Sequence, residues 1–250
     1  MTFALETKGL EKRFGGLKVT NDLSLRIETG ARHAVIGPNG AGKTTVINLL
    51  TGLLKPNAGR ILLEGNDITD LAVHTRVLRG LSRTFQINQL YADLTPLETI
   101  GLVVSERLGR GGDWWRRMGT RDDVNGEIAA NLARFRLLDI MNELTATLPY
   151  GKQRLLEIAV AIAAKPRVLL LDEPAAGVPE GERHDILAAV AALPRDVTVL
   201  LIEHDMDLVF SFADRISVLV NGALLVEGPP DEVARDPRVK AVYLGEAADA

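Results

Sequence analysis

Apolar and polar positions alternate with a period of two through residues 5–30, the pattern of half-buried strands. In Leu23-Ser24-Leu25-Arg26-Ile27 the apolar residues Leu23, Leu25 and Ile27 fall on one face. Glu28-Thr29-Gly30 then turns the chain into a short apolar run, Ala34-Val35-Ile36. Gly59-Arg60-Ile61-Leu62-Leu63-Glu64-Gly65 reads as a strand bounded by glycines, and Leu81-Ser82-Arg83-Thr84-Phe85-Gln86 as another. Two later runs do not alternate. Val168-Leu169-Leu170-Leu171 ends in Asp172-Glu173-Pro174, and Val197-Thr198-Val199-Leu200-Leu201-Ile202 ends in Glu203-His204-Asp205. Unbroken apolar runs of this length belong to central parallel strands covered on both faces. A helix expected over 182–193 joins them into a β-α-β unit. Ile216–Val220, Asn221-Gly222 and Ala223–Val226 predict a hairpin with a two-residue turn. From Asp231 the pattern predicts a short polar helix and a tail.

Between the strand groups the period changes. Thr95-Pro96-Leu97-Glu98 is a helix start: a capping threonine, proline at the first helical position and glutamate three residues after the cap. Helical spacing continues to about Leu144, broken at Gly109-Arg110-Gly111-Gly112-Asp113. The Trp114-Trp115-Arg116-Arg117 that follows reads as a surface turn whose rings cover the insert's own helices. The architecture expected is α/β: a mostly parallel core over 1–87 and 161–250 with an antiparallel β arm, and a helical insert over 88–160.

Composition narrows the possibilities. The chain has 250 residues, 46% of them hydrophobic and 25% charged, as in an ordinary globular protein. A net charge of -4 and a pI near 5.7 argue against a sequence-independent nucleic-acid surface. There is no cysteine, hence no disulfide and no thiolate metal site. The first eight residues lack a signal-peptide pattern, and no apolar run approaches the roughly 20 residues that cross a bilayer. Any membrane role is therefore expected to run through a partner.

The chemistry centres on Gly37-Pro38-Asn39-Gly40-Ala41-Gly42-Lys43-Thr44-Thr45, a G-x-x-x-x-G-K-[ST] phosphate loop. It lies between the Ala34–Ile36 strand and a helix, Val46 to Thr51, closed by Gly52. Glycines let the backbone wrap a phosphate, and the amides of the helix N-terminus point at its charge. Lys43 is expected to reach the β- and γ-phosphates, and the Thr44 hydroxyl to be a Mg²⁺ ligand. The core is thus expected to be a P-loop NTPase of the RecA-like kind. In open α/β sheets ligands bind at the carboxyl ends of the strands, so Asp172-Glu173 and His204 can converge on the same nucleotide. Asp172 fits a Mg²⁺ role, and Glu173 a base that orients and deprotonates the attacking water. His204 fits a group that polarises that water or holds the γ-phosphate. His33, His74 and His184 are assigned to core or surface.

The phosphate loop, Gln86, Leu148-Pro149-Tyr150-Gly151-Lys152-Gln153-Arg154, Leu171-Asp172-Glu173-Pro174 and His204 occur in an order and spacing that resembles the ATP-binding subunit of ABC transporters. The resemblance spans essentially the whole chain. It implies a head-to-tail dimer in which the signature segment, with Leu148, Tyr150, Gly151 and Lys152, caps the ATP held by the other subunit. It also implies that Gln86 links Mg²⁺ and the attacking water to the helical insert. Phe14 matches the aromatic that stacks on adenine, with Val19 beside it in the nucleotide-binding set. The implied partners are a second ATP-binding subunit, polytopic membrane permease subunits and, indirectly, a solute-binding protein, at the cytoplasmic face of the inner membrane. Nucleic acid is not among them. Arg83-Thr84-Phe85-Gln86, Leu148-Pro149-Tyr150-Gly151, Asp172–Gly177 and Val242-Tyr243-Leu244-Gly245-Glu246 look like the branched-chain (hydrophobic) amino-acid importers. The similar lipopolysaccharide-export ATPases share the Tyr-Leu-Gly-Glu ending, and a soluble ABC ATPase is the alternative from another class. Two positions depart from the family pattern. Pro149 stands where the signature serine would be, and Pro179 stands where a polar residue would face the dimer. The second ATP-binding subunit is another copy of this chain or a different protein, and the two departures point to the asymmetric heterodimer, in which this chain's signature contribution is weakened.

Overall fold

The structure is a computed structural model describing residues 2–84, 90–109 and 122–246. Gln86, Phe85 and the Trp114-Trp115 pair lie outside the described residues. The chain forms two compact units: Met1–Arg83, Arg167–Glu173 and Pro194–Ala250 in one, Thr84–Pro166 and Pro174–Leu193 in the other.

The first unit holds two sheets. β1 (Phe3–Phe14) pairs antiparallel with β2 (Leu17–Leu23), β3 (Arg26–Glu28) and β5 (Ala58–Leu63), and β6 (Asn66–Asp67) extends β5. The second sheet runs β11 (Ala223–Gly228), β10 (Arg215–Val220), β4 (Arg32–Ile36), β9 (Thr198–Ile202), β8 (Val168–Asp172) and β7 (Leu81–Arg83). Only β10 and β11 pair antiparallel in it, through the expected hairpin. Asn221 and Gly222 both take positive φ, 50° and 76°, as a primed two-residue turn requires. The two unbroken apolar runs are β8 and β9, neighbours in the sheet with every residue buried.

The pleat explains the layers. Val35 of β4 joins a cluster with Val46, Ile47 and Leu50 of α1 (Lys43–Thr51) and with Leu5, Ile27 and Ile61 of the antiparallel sheet. Its neighbours Ala34 and Ile36 point the other way. They pack with Val209 of α7 (Met206–Phe212), Val233 of α8 (Pro230–Arg235) and Val239 of α9 (Pro237–Glu246). The polar tail expected after the first C-terminal helix is in fact α9. Asp236, the residue before Pro237, is held extended and stops α8, and Pro237 is then the first residue of a new helix. The strand expected over 81–86 is seen only as β7, which ends at Arg83.

α1 is fastened at its rear. Gly52 ends it in the left-handed conformation, φ 84°. Arg76 of α2 (Val73–Leu78), 2% exposed, donates from Nη1 to the Leu49 and Leu50 carbonyls at 2.7 and 2.6 Å. Its Nε and Nη2 reach the Leu71 and Thr69 carbonyls at 3.0 and 2.6 Å. A cation at a helix C-terminus is favourable, and here it also satisfies carbonyls that have no partner within the helix.

The second unit is helical. α3 (Pro96–Arg107) begins with the expected reciprocal cap between Thr95 and Glu98. It packs against α4 (Asp122–Arg134) and α5 (Tyr150–Ala163), and α5 against α6 (Glu180–Ala191). The helical spacing expected to about Leu144 stops earlier: α4 ends at Arg134, and 3-10 turns follow at Leu138–Ile140 and, past that limit, Thr145–Thr147. Inside α5, Arg154 and Glu157 form a buried ion pair at 2.6 Å.

A polar chain, buried at His33 and Ser217, crosses β4, β10 and β11. Ser217 Oγ donates to Glu227 Oε2 at 3.0 Å and so accepts from His33 Nε2 at 2.8 Å, while Arg215 pairs with Glu227 at 3.0 Å. His33 Nδ1 is buried with no partner among the described residues. Burial pushes the imidazole down to about 4, against the pull of Glu227. The folded state therefore favours neutral His33. Its contribution is complete above the unfolded value near 6.5 and is lost as pH falls toward about 4. His33→Gln is expected to remove about 3 kcal/mol of the stability lost between those limits. Urea unfolding of both proteins at pH near 7 and near 4 measures it, and equal pH dependence in the two would refute the assignment.

Candidate functional site: a phosphate loop and the strand ends beside it

The loop leaves β4 at Gly37 and becomes α1 at Lys43. Ala41 donates its backbone N–H to Pro38 O at 3.1 Å, Val46 to Gly42 O at 2.9 Å, and Gly222 of the hairpin turn donates to Ala41 O at 3.0 Å. Gly42 has φ 95°, and a Cβ there would lie 2.7 Å from the Val19 carbonyl oxygen. At Gly222, φ 76°, a Cβ would lie 2.1 Å from that same oxygen. The carbonyl of Val19 in β2 thus fills a gap that only two glycines leave open. Lys43 Nζ folds over the loop and donates to Gly37 O at 2.5 Å and Pro38 O at 3.0 Å. Asn39, Gly40 and Thr44 are exposed, Pro38 and Thr45 are half-buried, and Ala41 is buried. The first-turn amides of α1 have no carbonyl four residues back, and the helix dipole adds positive potential there.

Beside the loop, Asp172 ends β8 with 1% of its side chain exposed. Its Oδ2 accepts from Arg83 Nη2 at 2.8 Å, and Arg83 Nη1 donates to Asn48 Oδ1 at 2.8 Å. Asn48 is one turn along α1 from Thr44 and on the same face. Asp172 Oδ1 is buried without a partner among the described residues. Burial pushes the Asp172 carboxyl above its usual range, Arg83 and Lys43 pull it down, and Glu173 pushes it up. An orphaned buried carboxylate oxygen fits the second coordination layer of a metal ion. Among the described residues no cluster of three or more His, Asp and Glu side chains could hold a metal alone.

Glu173 has φ 47°, a left-handed conformation that costs a non-glycine residue ~1–2 kcal/mol. Its N–H donates to Ile202 O at 2.9 Å, which ties the turn to the end of β9. Backbone strain of this kind concentrates at functional positions. His204 follows β9 with 68% of its side chain exposed, and its Nδ1 is 3.7 Å from Glu173 Oε1 and 3.7 Å from Glu203 Oε2. Burial raises the Glu203 carboxyl, while the N–H groups of His204 and Asp205 lower it. Phe14 ends β1 in the same unit, half exposed, with Lys12 Nζ 5.2 Å from its ring centre.

The signature segment belongs to the second unit. Leu148 and Gly151 are buried, and Lys152 Nζ donates to Arg136 O at 3.1 Å. Tyr150 donates weakly to Ala176 O at 3.4 Å and carries the Arg154 guanidinium 5.5 Å from its ring centre. Pro149 and Pro179 occupy the cap positions of α5 and α6, and neither supplies a side-chain cap.

In the first unit, then, the structure brings together Lys43, Asp172, Glu173 and His204, with Thr44 on the same helix turn as Lys43. Gln86 lies outside the described residues. Sequence reasoning missed Arg83, Asn48, Glu203 and Gly222. Arg83 and Glu203 adjoin motif residues, but burial of a charged side chain leaves no mark in a sequence.

The sequence profile of the ABC transporter family matches residues 20–176. That of the branched-chain amino acid ATP-binding cassette transporter matches residues 223–249. The chain is 42% identical to the high-affinity branched-chain amino acid transport ATP-binding protein BraF of Pseudomonas aeruginosa, covering 97% of this chain and 98% of that one. It is 38% identical to LivG of Escherichia coli, of the same description, again over 97% and 98%. A crystal structure of the ADP conformation of an ATP-binding cassette of an ABC transporter superimposes with TM-score 0.81 at 31% identity, covering 98% of this chain and 99% of that one.

Gly222→Ala is expected to displace the Val19 carbonyl and with it the loop, costing about 2 kcal/mol of stability. ATP binding should weaken about tenfold, near 1.4 kcal/mol. Gly65→Ala is the control: φ there is 77° but the space around it is open. It should leave ATP affinity unchanged in the same titration.

Proposed function

We propose that this chain, which belongs to the ABC transporter ATP-binding family and is an ATPase coupled to transport, energises uptake of branched-chain or other hydrophobic amino acids through partner membrane subunits. What supports the reaction most is that Asp172, Glu173 and His204 meet at the carboxyl ends of neighbouring parallel strands, in the sheet whose β4 ends in the phosphate loop. The descriptions of the relatives and the match at residues 223–249 support the solute class.

In this reading the loop from Gly37 to Thr45 cradles the phosphates, with Lys43 leaving its own loop carbonyls for the β- and γ-phosphates. Mg²⁺ would be held by Thr44 and the phosphates, with Asp172 behind it and Gln86 as a further ligand, and would neutralise charge on the transferring group. Glu173 orients and deprotonates the water. His204, beside it, holds the γ-phosphate edge of the site. Phe14 and Val19 line the nucleoside side. Leu148, Tyr150, Gly151 and Lys152 serve the ATP of a second ATP-binding subunit, head to tail. We read residues 1–87 and 161–250 as the nucleotide core and 88–160 as the helical subdomain. No helix among the described residues is long and apolar enough to cross a membrane. In this reading the chain acts peripherally, at the cytoplasmic face, through polytopic permease subunits and, indirectly, a solute-binding protein. The relatives' descriptions as transport ATP-binding proteins support it.

Glu173→Gln should lower kcat for ATP roughly 10²–10⁴-fold while MgATP binding is kept. Phosphate release and nucleotide titration on one preparation measure both, and unchanged hydrolysis would remove Glu173 from the base role. Tagged Glu173→Gln chain with MgATP should also recover polytopic membrane proteins and a second ATPase from solubilised native membranes. Recovery of ribosomal or DNA-associated proteins alone would sink the transport reading for this chain.

Pro149→Ser restores a hydroxyl at the cap of α5. If the heterodimer reading is right, ATPase activity of the assembled complex rises. Unchanged activity means that the missing hydroxyl does not limit the partner's site.

A further inference from the structure

His204 projects from a turn with most of its side chain in solvent, yet its reading as a hydrolytic residue requires one fixed ring position. The residue before it is unusual. Glu203 continues the apolar run of β9 into the interior, its carboxylate only 2% exposed. A buried carboxylate is costly, and apolar packing at this point would be served equally by leucine. Its contacts show where the charge is used. Glu203 Oε2 accepts the backbone N–H of His204 at 3.0 Å and, more weakly, that of Asp205 at 3.4 Å. The same oxygen lies 3.7 Å from His204 Nδ1, matching the distance from Glu173 Oε1 to that nitrogen. Asp205 then caps α7, accepting from the Leu208 N–H at 3.2 Å.

We propose that Glu203 is a positioning residue for His204. It pins the backbone of the turn from β9 into α7, and it makes the Nδ1 edge of the imidazole face two carboxylates. Two carboxylate oxygens 3.7 Å from that edge, beyond hydrogen-bond distance, set a negative potential that favours the ring proton on Nδ1. Nε2 is then the nitrogen left to face the water or the γ-phosphate. Glu203 itself touches neither. A neighbouring group that fixes ring tautomer and orientation is typically worth 10–100-fold in function where it supports a reacting imidazole or ligand.

The inference rests on the proposed role of His204, so the test separates the two. Glu203→Gln keeps an oxygen acceptor of the same reach and removes the charge, and Glu203→Asp keeps the charge but draws it back by one methylene. The full chain is studied at about pH 8, above the ordinary histidine range, by ¹⁵N spectroscopy of the imidazole nitrogens, with His204→Gln assigning the resonances. In the parent chain His204 should be protonated at Nδ1, and in Glu203→Gln it should become a mixture of tautomers. ATPase assays of the assembled transporter should show kcat down about tenfold or more in Glu203→Gln, with KM for MgATP within about twofold, and partial recovery in Glu203→Asp. An unchanged tautomer, or loss of MgATP affinity in parallel with kcat, overturns the proposal and leaves Glu203 a structural acid. Should His204→Ala lose activity while Glu203→Gln keeps it, the role of Glu203 fails alone. If His204→Ala retains full kcat, the hydrolytic reading of His204 fails, and the catalytic consequence of Glu203 with it. Should Glu203→Gln fail to fold, Glu203→Asp carries the same tautomer and kcat comparison.

Discussion

One carbonyl oxygen sets the geometry on which the nucleotide site depends. Val19 O belongs to the antiparallel arm, yet it stands where Cβ atoms would be at Gly42, the cap of α1, and at Gly222, the tip of the β10–β11 hairpin. The phosphate loop is thus located by backbone contacts from two sheets that come from the two ends of the chain. Contacts between backbones cannot be relaxed by choosing another rotamer, so the loop holds its shape. The arm, which carries none of the loop's residues, is part of the loop's scaffold.

Around that scaffold the chain concentrates what folding alone would avoid. Asp172 and Glu203 are buried acids, and Glu173 is held in a left-handed conformation. Each is supported by a particular neighbour: Arg83 with Asn48 behind it, the N–H groups of a turn, and the Ile202 carbonyl. These costs fall at the carboxyl ends of β8 and β9, while the residues just before them, Val168–Leu171 and Val199–Ile202, are all apolar. Local rules of stability fail together at one place, which is how a binding site distinguishes itself from a core.

Much of this was legible beforehand, and for physical reasons. The phosphate loop, the unbroken apolar strands, the Asn221-Gly222 hairpin and the Thr95 cap are each enforced by a short run of sequence acting on its own backbone. The second C-terminal helix was not foreseen, because Pro237 can end one helix or begin another and only packing of Val239 and Tyr243 decides. Arg76, Arg83 and Glu203 were missed for a related reason. A charged residue is normally solvated, and what buries these three comes from elements distant in sequence or from the fold itself. The Val19 contact could not be read at all, since it depends on a main-chain atom whose residue type is nearly irrelevant.

The guanidinium of Arg76 has a mechanical consequence. α1 is a rod of nine residues, roughly 13 Å long. Its front is wedged by Val19, and its rear is bolted through Arg76 to the carbonyls of residues 69 and 71. A rod held at both ends has no slack. An anion on its leading amides thus sits on a helix that is also joined, through Asn48, Arg83 and Asp172, to β7 and β8 of the parallel sheet. Arg83 is the last residue of the first unit before the chain crosses into the helical one. The helix that begins at the phosphate loop is thus tied, through Asn48, to the very residue at which the chain leaves the first unit.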